Sequence, residues 1–295
     1  MTFDLNFTKM QAYGNDYVYI ETITQSIKNL NELSRRLSDR HFGVGGDGMI
    51  LICPSNIADF RMRVFNPDGT EAEMCGNGVR SVGKFVYDKG FTSKTEFTVE
   101  TLGGIKRIYL DVQDGKAKNI TAVIGAPILD AKKVPVICGA EKCIDFPVQL
   151  DDRLFHTTAI SLGNPHCVSF IGDVDTFDLS KYGPLMENHE IFPRRVNAEF
   201  CTVVNKNTLK LRTWERGTGE TLACATGCST CVVGGVLTGR CERKVDVHQI
   251  GGVTIIEWDK KTDNILMTAP SQIVFDGVIT LDSEVFKGRR YPIST

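Results

Sequence analysis

Two cysteines lie in matching contexts, each among small residues and directly before a run of apolar residues at helical spacing. Cys75 stands in the segment MCGNG at 74–78, and Cys224 stands in ACATG at 223–227. A helix N-terminus presents free backbone N–H groups and the positive end of the helix dipole, and both favour a thiolate. The pattern predicts two reactive thiols, and we expect each helix end to lower the pKa of its thiol toward neutrality.

Two such thiols could form either a redox pair or an acid–base pair. A C-x-x-C redox arrangement places both thiols in one motif, whereas these two belong to separate motifs. Inversion of a stereocentre needs a base on one face of a carbon and an acid on the other, alike enough to exchange roles. One thiolate and one thiol meet this need. A non-catalytic ligand-binding or redox protein with two buried helix cysteines stays open at this point.

The elements that position these cysteines occur twice along the chain. A single offset of 149 residues relates Cys75 to Cys224 without gaps. We infer two copies of one α+β unit, and paired lobes commonly enclose a cleft that binds small ligands. The same offset relates Gly14 and Asn15 to Gly163 and Asn164, Phe65 to Trp214, Asn66 to Glu215, Gly78 to Gly227, and Gly90 to Gly239.

Apolar periodicity predicts few helices among many short strands. We expect helices near 29–39, from 76 to about 90, over part of 177–188, and from 225 to about 239. Most other segments alternate like strands, so the sequence indicates an α+β fold and not a doubly wound parallel sheet. The irregular stretch at 125–135, rich in proline and lysine, is the candidate boundary between the two copies.

The repeat also bears on a competing interpretation of the second cysteine region. Cys224, Cys228 and Cys231 have the C-x3-C-x2-C spacing of some iron–sulfur sites. At the equivalent positions of the first copy stand Val79 and Val82, so Cys228 and Cys231 are expected to be core residues. The six remaining cysteines lack ligand spacing and are interpreted as structural: Cys53, Cys138, Cys143, Cys167, Cys201 and Cys241.

Composition narrows the function classes. The chain is 42% hydrophobic and 24% charged, which is typical of a globular protein, and its net charge of −2 gives no overall attraction to nucleic acid or to a membrane surface. It has no basic-then-apolar leader and no apolar run of about 18 residues, so neither export nor membrane spanning is expected. The ten cysteines are then expected to be reduced thiols in the cytoplasm.

With these features in place, the chain resembles the diaminopimelate epimerase family, which comprises cofactor-independent isomerases of lysine and peptidoglycan-precursor biosynthesis. The resemblance covers essentially the whole chain. The motifs that carry it are GND at 14–16, FNPDG at 65–69, MCGNG at 74–78, GNPH at 163–166, RVN at 195–197, ERG at 215–217 and GET at 219–221.

The resemblance implies that Cys75 and Cys224 are catalytic and interconvert LL- and meso-diaminopimelate without pyridoxal phosphate. It also implies two pseudo-symmetric lobes, each a curled antiparallel β-sheet around a central helix, with the C-terminal strand returning to the first lobe. The expected N-terminal lobe is 1–124 plus 271–295, with Cys75. The expected C-terminal lobe is 125–270, with Cys224.

Carried over position by position, the resemblance implies substrate contacts in both lobes. Backbone N–H groups at the two helix starts would hold the reacting carboxylate, from Gly76, Asn77, Ala225 and Thr226. The distal amino and carboxylate groups would be bound by Asn15, Asn66, Asn164, Asn197 and Arg216. Glu215 would also belong to the substrate site, and with the turn residue His166 it would bias the protonation of the thiols. The alternatives are turn formation for Asn66 and simple packing for His166.

The resemblance implies no cofactor, no metal site, and a small diamino-dicarboxylate as the substrate. It also implies a homodimer, in which Phe275 stands where some relatives have a tyrosine at the dimer contact. A racemase of the same fold for proline, hydroxyproline or histidine is the alternative. Arg216, Asn66 and Asn197 favour a substrate that is charged at both ends.

Overall fold

The computed structural model describes residues 1–288, and their strands and helices follow the same order twice. They form two units, the first made of residues 1–122 and 270–288 and the second of residues 123–269. The last seven residues of the lobe expected at 271–295 lie outside the described residues. The helices of residues 1–288 lack the length and apolar character that a membrane crossing requires.

Elements are numbered along the whole chain. The first unit begins with β1 (Thr2–Ala12), β2 (Asn15–Glu21), α1 (Leu30–Ser38), β3 (Met49–Cys53), β4 (Phe60–Phe65), β5 (Glu71–Ala72) and α2 (Gly76–Asp88). It continues with β6 (Glu96–Thr101), β7 (Gly104–Gln113) and β8 (Lys116–Gly125), whose last three residues belong to the second unit.

The second unit repeats this order. It contains β9 (Phe146–Leu150), β10 (Arg153–Ser161), β11 (Pro165–Phe170), α3 (Leu179–Glu187), β12 (Asn197–Asn205), β13 (Thr208–Glu215), β14 (Gly219–Thr221), α4 (Ala225–Leu237), β15 (Lys244–Gln249), β16 (Gly252–Trp258) and β17 (Ile265–Ala269). The chain then returns to the first unit with β18 (Gln272–Asp282), which pairs antiparallel with β1, and with α5 (Ser283–Phe286).

The α+β class is confirmed, and the expected antiparallel pairing is joined by parallel strand pairs that the sequence did not predict. Each unit contains two parallel pairs, β2–β3 and β4–β6 in the first and β11–β12 and β13–β15 in the second. Parallel neighbours need a crossover connection, and a helix lies in each of these four connections. The register also repeats, because Val18 faces Met49 in the first unit and Cys167 faces Ala198 in the second.

The helices α2 and α4 are the central helices of their units, and most of their residues are buried. Both end before a glycine with positive φ, Gly90 at +78° and Gly239 at +69°, as predicted from the sequence. Cys228 and Cys231 are fully buried, as are Val79 and Val82 at the equivalent positions of α2. Cys228 and Cys231 are therefore core residues of the second unit.

Candidate active site

Each central helix begins with a cysteine as its N-cap. Cys75 has extended backbone angles, and its Sγ accepts the N–H of Gly78 at 3.3 Å. Cys224 has the same conformation, and its Sγ accepts the N–H of Gly227 at 3.4 Å. The two thiols thus take the place that a serine or threonine oxygen usually has at a helix start. The predicted thiols at the helix N-termini are confirmed in both units.

The surroundings of Cys75 contain groups that favour its thiolate. Burial raises the pKa of the Cys75 thiol above its ordinary value, while hydrogen bonds from the Gly78 N–H and the Tyr17 hydroxyl and the charge of Arg80 act in the opposite direction. Arg80 is a fully buried cation whose Nη2 donates to Asn77 Oδ1 at 2.8 Å. Besides burial, the named influences on Cys75 all stabilise the negative form.

The surroundings of Cys224 act differently. Burial raises the pKa of its thiol well above the ordinary value, and the charges of Glu215 and then Glu199 raise it further. Contacts with Thr226 and the Gly227 N–H oppose this rise. The expectation that the helix ends would bring the pKa of both thiols down toward neutrality is therefore wrong, because desolvation outweighs the helix N–H groups at both sites.

Glu199 is a site residue that the sequence did not predict, and it contacts His166, which the family resemblance did imply. His166 is a strand residue of β11 and not a turn residue, and its Nδ1 lies 2.7 Å from Glu199 Oε1. Both side chains are completely buried. Among residues 1–288, neither His166 Nε2 nor Glu199 Oε2 has a hydrogen-bond partner. An acid within the apolar segment NAEFCTVV was the one available signal.

The second unit gathers three chemically active side chains. One ligand atom each from His166, Glu199 and Cys224 lie within 4.8 Å of one another. Such donors suit zinc, so these three residues are the set within 1–288 that could hold a metal ion. A bound metal would occupy the Cys224 thiol, which the family resemblance implies to be one of the two proton carriers.

The predicted asparagines differ in their surroundings. Asn15 Oδ1 accepts from Cys75 Sγ at 3.6 Å, and its Nδ2 donates to Asp47 at 2.9 Å. Asn66 donates to Thr70 Oγ1 within the turn that its sequence context predicts. Asn164 is half-buried just before β11. The structure thus brings Asn15 to the first thiol, whereas the side-chain amide of Asn66 donates within its own turn.

Asn197 and Arg216 lie together in the second unit. Asn197 Nδ2 donates to the Pro165 carbonyl at 2.8 Å, and its Oδ1 accepts the Arg216 N–H at 2.9 Å. Arg216 is exposed, and its Nη1 donates to the Arg194 carbonyl. Asn197 therefore positions the backbone of Arg216.

The remaining predicted residues lie at the helix starts, on a neighbouring strand and on β18. Thr226 Oγ1 lies 3.6 Å from Cys224 Sγ, and the carboxylate of Glu215 accepts from Thr221 at 2.6 Å. Gly76 and Ala225 are the buried first residues of α2 and α4. Phe275, on β18, is 46% exposed and contacts Phe7 edge to face.

Comparison with a solved structure defines the class of this fold. The structure of a hydroxyproline epimerase from Agrobacterium vitis matches with a TM-score of 0.67 over 95% of this chain and 92% of that chain. The sequences are 12% identical, so this likeness shows the fold alone. This chain and that protein therefore share an α+β fold, which in this chain is built from two repeated units.

Sequence comparison defines the family. A family model described as diaminopimelate epimerase matches residues 7–129 and 158–274. Relatives named diaminopimelate epimerase include one from Acetivibrio thermocellus, 50% identical with 94% of this chain and 99% of that protein covered, and one from Methanococcus maripaludis, 49% identical with 94% and 100% covered. The chain belongs to the diaminopimelate epimerase family and is an isomerase.

Proposed function

We propose that this chain inverts the α-carbon of diaminopimelate by proton transfer between two thiols, with Cys75 and Cys224 as the acid–base groups. One observation carries the proposal. In each unit a cysteine is the N-cap of the buried central helix, and its Sγ accepts the backbone N–H of the residue three positions later in the chain. Using the same arrangement twice supplies two groups alike enough to exchange roles between the forward and reverse reactions.

The step balances without an external reactant. A thiolate removes the α-proton, so that a C–H bond breaks, an S–H bond forms, and the electron pair passes into the carboxylate as an enediolate. The thiol of the other cysteine delivers its proton to the opposite face of the carbon and becomes the thiolate. Inversion thus uses both thiols, and the reverse reaction exchanges their roles.

The helix starts are suited to the reacting carboxylate. The first N–H groups of a helix have no partner within the helix, and they attract anions. We assign this role to the N–H groups of Gly76, Asn77, Ala225 and Thr226. Their hydrogen bonds would strengthen as charge moves from the α-carbon onto the carboxylate oxygens, which lowers the barrier to proton removal.

Arg216 would bind the distal carboxylate of the substrate. Its guanidinium is exposed and offers paired N–H donors, while Asn197 Oδ1 accepts its backbone N–H at 2.9 Å. Asn15, Asn66 and Asn164 would contact the distal amino and carboxylate groups, and Glu215 would contribute from the end of β13. Proline and related one-carboxylate substrates lack a group for Arg216, so the alternative racemase function is disfavoured.

Proton exchange in heavy water tests the proposal directly. Incubation with LL-diaminopimelate in deuterated buffer should give meso-diaminopimelate and loss of the α-proton signal in the NMR spectrum. L-proline under the same conditions should show no exchange above the buffer rate. Absence of enzyme-dependent exchange with diaminopimelate would overturn the function, and exchange with proline alone would establish the alternative.

We further propose a cytoplasmic homodimer. The ten cysteines are all free, which fits a reducing compartment. Val274, Phe275 and Val278 are exposed residues of β18, and exposed apolar side chains on a strand are suited to contact with a second copy of the chain. Sedimentation of the wild type as a dimer, and of Phe275→Lys as a monomer, would support this assignment, whereas a monomeric wild type would refute it.

A further inference from the structure

Glu199 is a buried carboxylate for which the proposed function has so far given no role. It lies on β12, is 1% exposed, and its Oε1 accepts from His166 Nδ1 at 2.7 Å when the carboxylate is ionised. Its second oxygen has no hydrogen-bond partner among the described residues. A buried carboxylate with one unpaired oxygen is costly in free energy, so a structural role alone is a weak explanation for it.

Glu199 also lies against the start of α4. A Cβ atom added to Gly227 would come within 2.9 Å of Glu199 Oε1 and within 3.3 Å of Cys224 Sγ. The carboxylate and the thiol therefore share one side of the first helical turn. An ionised Glu199 and a Cys224 thiolate, within 4.8 Å of each other and both buried, would repel each other strongly.

The first unit provides a natural comparison without that carboxylate. The position equivalent to Glu199 is Ile50, and a Cβ atom added to Gly78 would come within 2.6 Å of Ile50 Cδ1. The two side chains thus occupy the same place against their helices. An apolar group next to Cys75 is replaced by an acid next to Cys224, while the backbone arrangement around the thiols stays the same.

We propose that Glu199 is a positioning residue that orients His166 and, by its buried negative charge, keeps Cys224 as the protonated thiol of the resting enzyme, so that Cys75 is the resting base. His166 is held because its Nδ1–H donates to the ionised carboxylate of Glu199. The proposal concerns the same two thiols and rests on the proposed function, because the Cys75 thiolate is a catalytic base only if the chain is an epimerase. It concerns the ionisation of the free protein, which is measurable without substrate.

The other charged groups around Cys224 do not reverse this assignment. Glu215 on β13 adds a second negative charge, and the imidazole of His166 on β11 also lies near the thiol. The remaining charged residues on the strands packed against α4 have exposed or half-buried side chains: Arg153, His156, Lys210, Arg212, Lys244, Asp246, His248 and Glu257. By contrast, the buried Arg80 acts on Cys75.

Site-resolved alkylation of the native protein tests the inference. Iodoacetamide is applied over a range of pH, and modification of the peptides that contain Cys75 and Cys224 is measured by mass spectrometry. The pH midpoint of modification reports the ionisation of each thiol, whereas the plateau rate at high pH reports its accessibility. Limited access to a buried thiol therefore lowers the plateau rate without moving the midpoint. In the wild type, we expect Cys224 to titrate at higher pH than Cys75.

Glu199→Gln keeps the shape and the hydrogen-bond acceptor but removes the charge. We expect the Cys224 midpoint to fall by at least about one pH unit, with the Cys75 midpoint unchanged. Glu199→Asp should restore part of the wild-type midpoint. Glu220→Gln, which removes a carboxylate of the same unit that pairs with Arg212, should shift neither midpoint.

An unchanged Cys224 midpoint in folded Glu199→Gln would overturn the proposal. If that variant does not fold, the wild type alone decides, because a Cys224 midpoint at or below that of Cys75 contradicts the assignment. Failure of the proposed function is a separate result. A protein that shows the expected midpoints but no exchange of diaminopimelate protons would retain the role of Glu199 and lose the epimerase assignment.

Discussion

The two units hold their thiols with the same backbone arrangement and surround them with opposite charge. Cys75 has Tyr17 as a hydrogen-bond donor and Arg80 as a buried cation. Cys224 has the carboxylates of Glu199 and Glu215. Duplication thus preserved what places a thiol at a helix start, while substitution made one thiol easier to ionise than the other. A two-base epimerase benefits from this, because its resting state needs one thiolate and one thiol.

The largest expected effect comes from removing either thiol. Cys75→Ala and Cys224→Ala should each lower the rate of epimerisation by at least about two orders of magnitude, the usual scale for a positioned acid or base. The two variants should differ in proton exchange, because a lone thiol exchanges a proton only on its own face. NMR in heavy water with separate LL- and meso-substrates measures this difference.

Cys228→Ala is the matched control for this experiment, since it removes a buried core thiol of the same helix. It should retain turnover and lose only stability. Near-normal epimerisation by either Cys75→Ala or Cys224→Ala would contradict the two-thiol mechanism.

The second expected effect concerns a cation that only the second unit carries. The position equivalent to Arg216 is Pro67, so the distal carboxylate is expected to depend on one unit alone. Arg216→Gln should lower kcat/KM for diaminopimelate by about 10- to 100-fold through loss of charge-assisted hydrogen bonds. Steady-state kinetics measures the loss, and Arg194→Gln, a neighbouring exposed arginine, should leave kcat/KM close to the wild-type value.

A smaller effect should follow from changing the environment of the first thiol. Tyr17→Phe removes a donor to Cys75, and loss of a bond that stabilises the thiolate must raise the pKa of Cys75. We expect the acid limb of the pH profile of kcat/KM to move to higher pH and the activity at neutral pH to fall several-fold. Tyr109→Phe, on β7 of the same unit, is the control. A shift to lower pH would show that Tyr17 does not donate to the thiolate.

The smallest expected effect is on stability. Burial raises the pKa of Glu199 above its ordinary value, so the folded state binds a proton more tightly than the unfolded state. The carboxylate therefore costs stability as pH rises from its unfolded pKa toward its raised folded pKa. Glu199→Gln should be more stable than the wild type at pH 8 by about 1 kcal/mol, and the difference should shrink toward pH 5.

Urea denaturation at several pH values measures this dependence. A stability difference that is constant with pH would mean that the folded and unfolded states of Glu199 bind protons equally.

Local sequence was sufficient for the helices that carry the thiols. The small residues after each cysteine, the apolar spacing and the terminal glycines predicted α2 and α4 within a few residues, because caps and periodicity act over one or two turns. The strand pairing was less predictable. Alternation shows which face of a strand is buried but not its direction, and the parallel pairs depend on crossovers through helices.

The sequence by itself determined the two thiols, their helix starts and the repeat of 149 residues that makes them equivalent. Only the tertiary structure decided how they differ. His166 and Glu199 are 33 residues apart and meet because β11 and β12 are parallel neighbours. Burial then makes that contact electrostatically strong, and burial of a particular side chain is a property of the packed chain. This is why helix starts could be predicted, whereas the ionisation of the thiols could not.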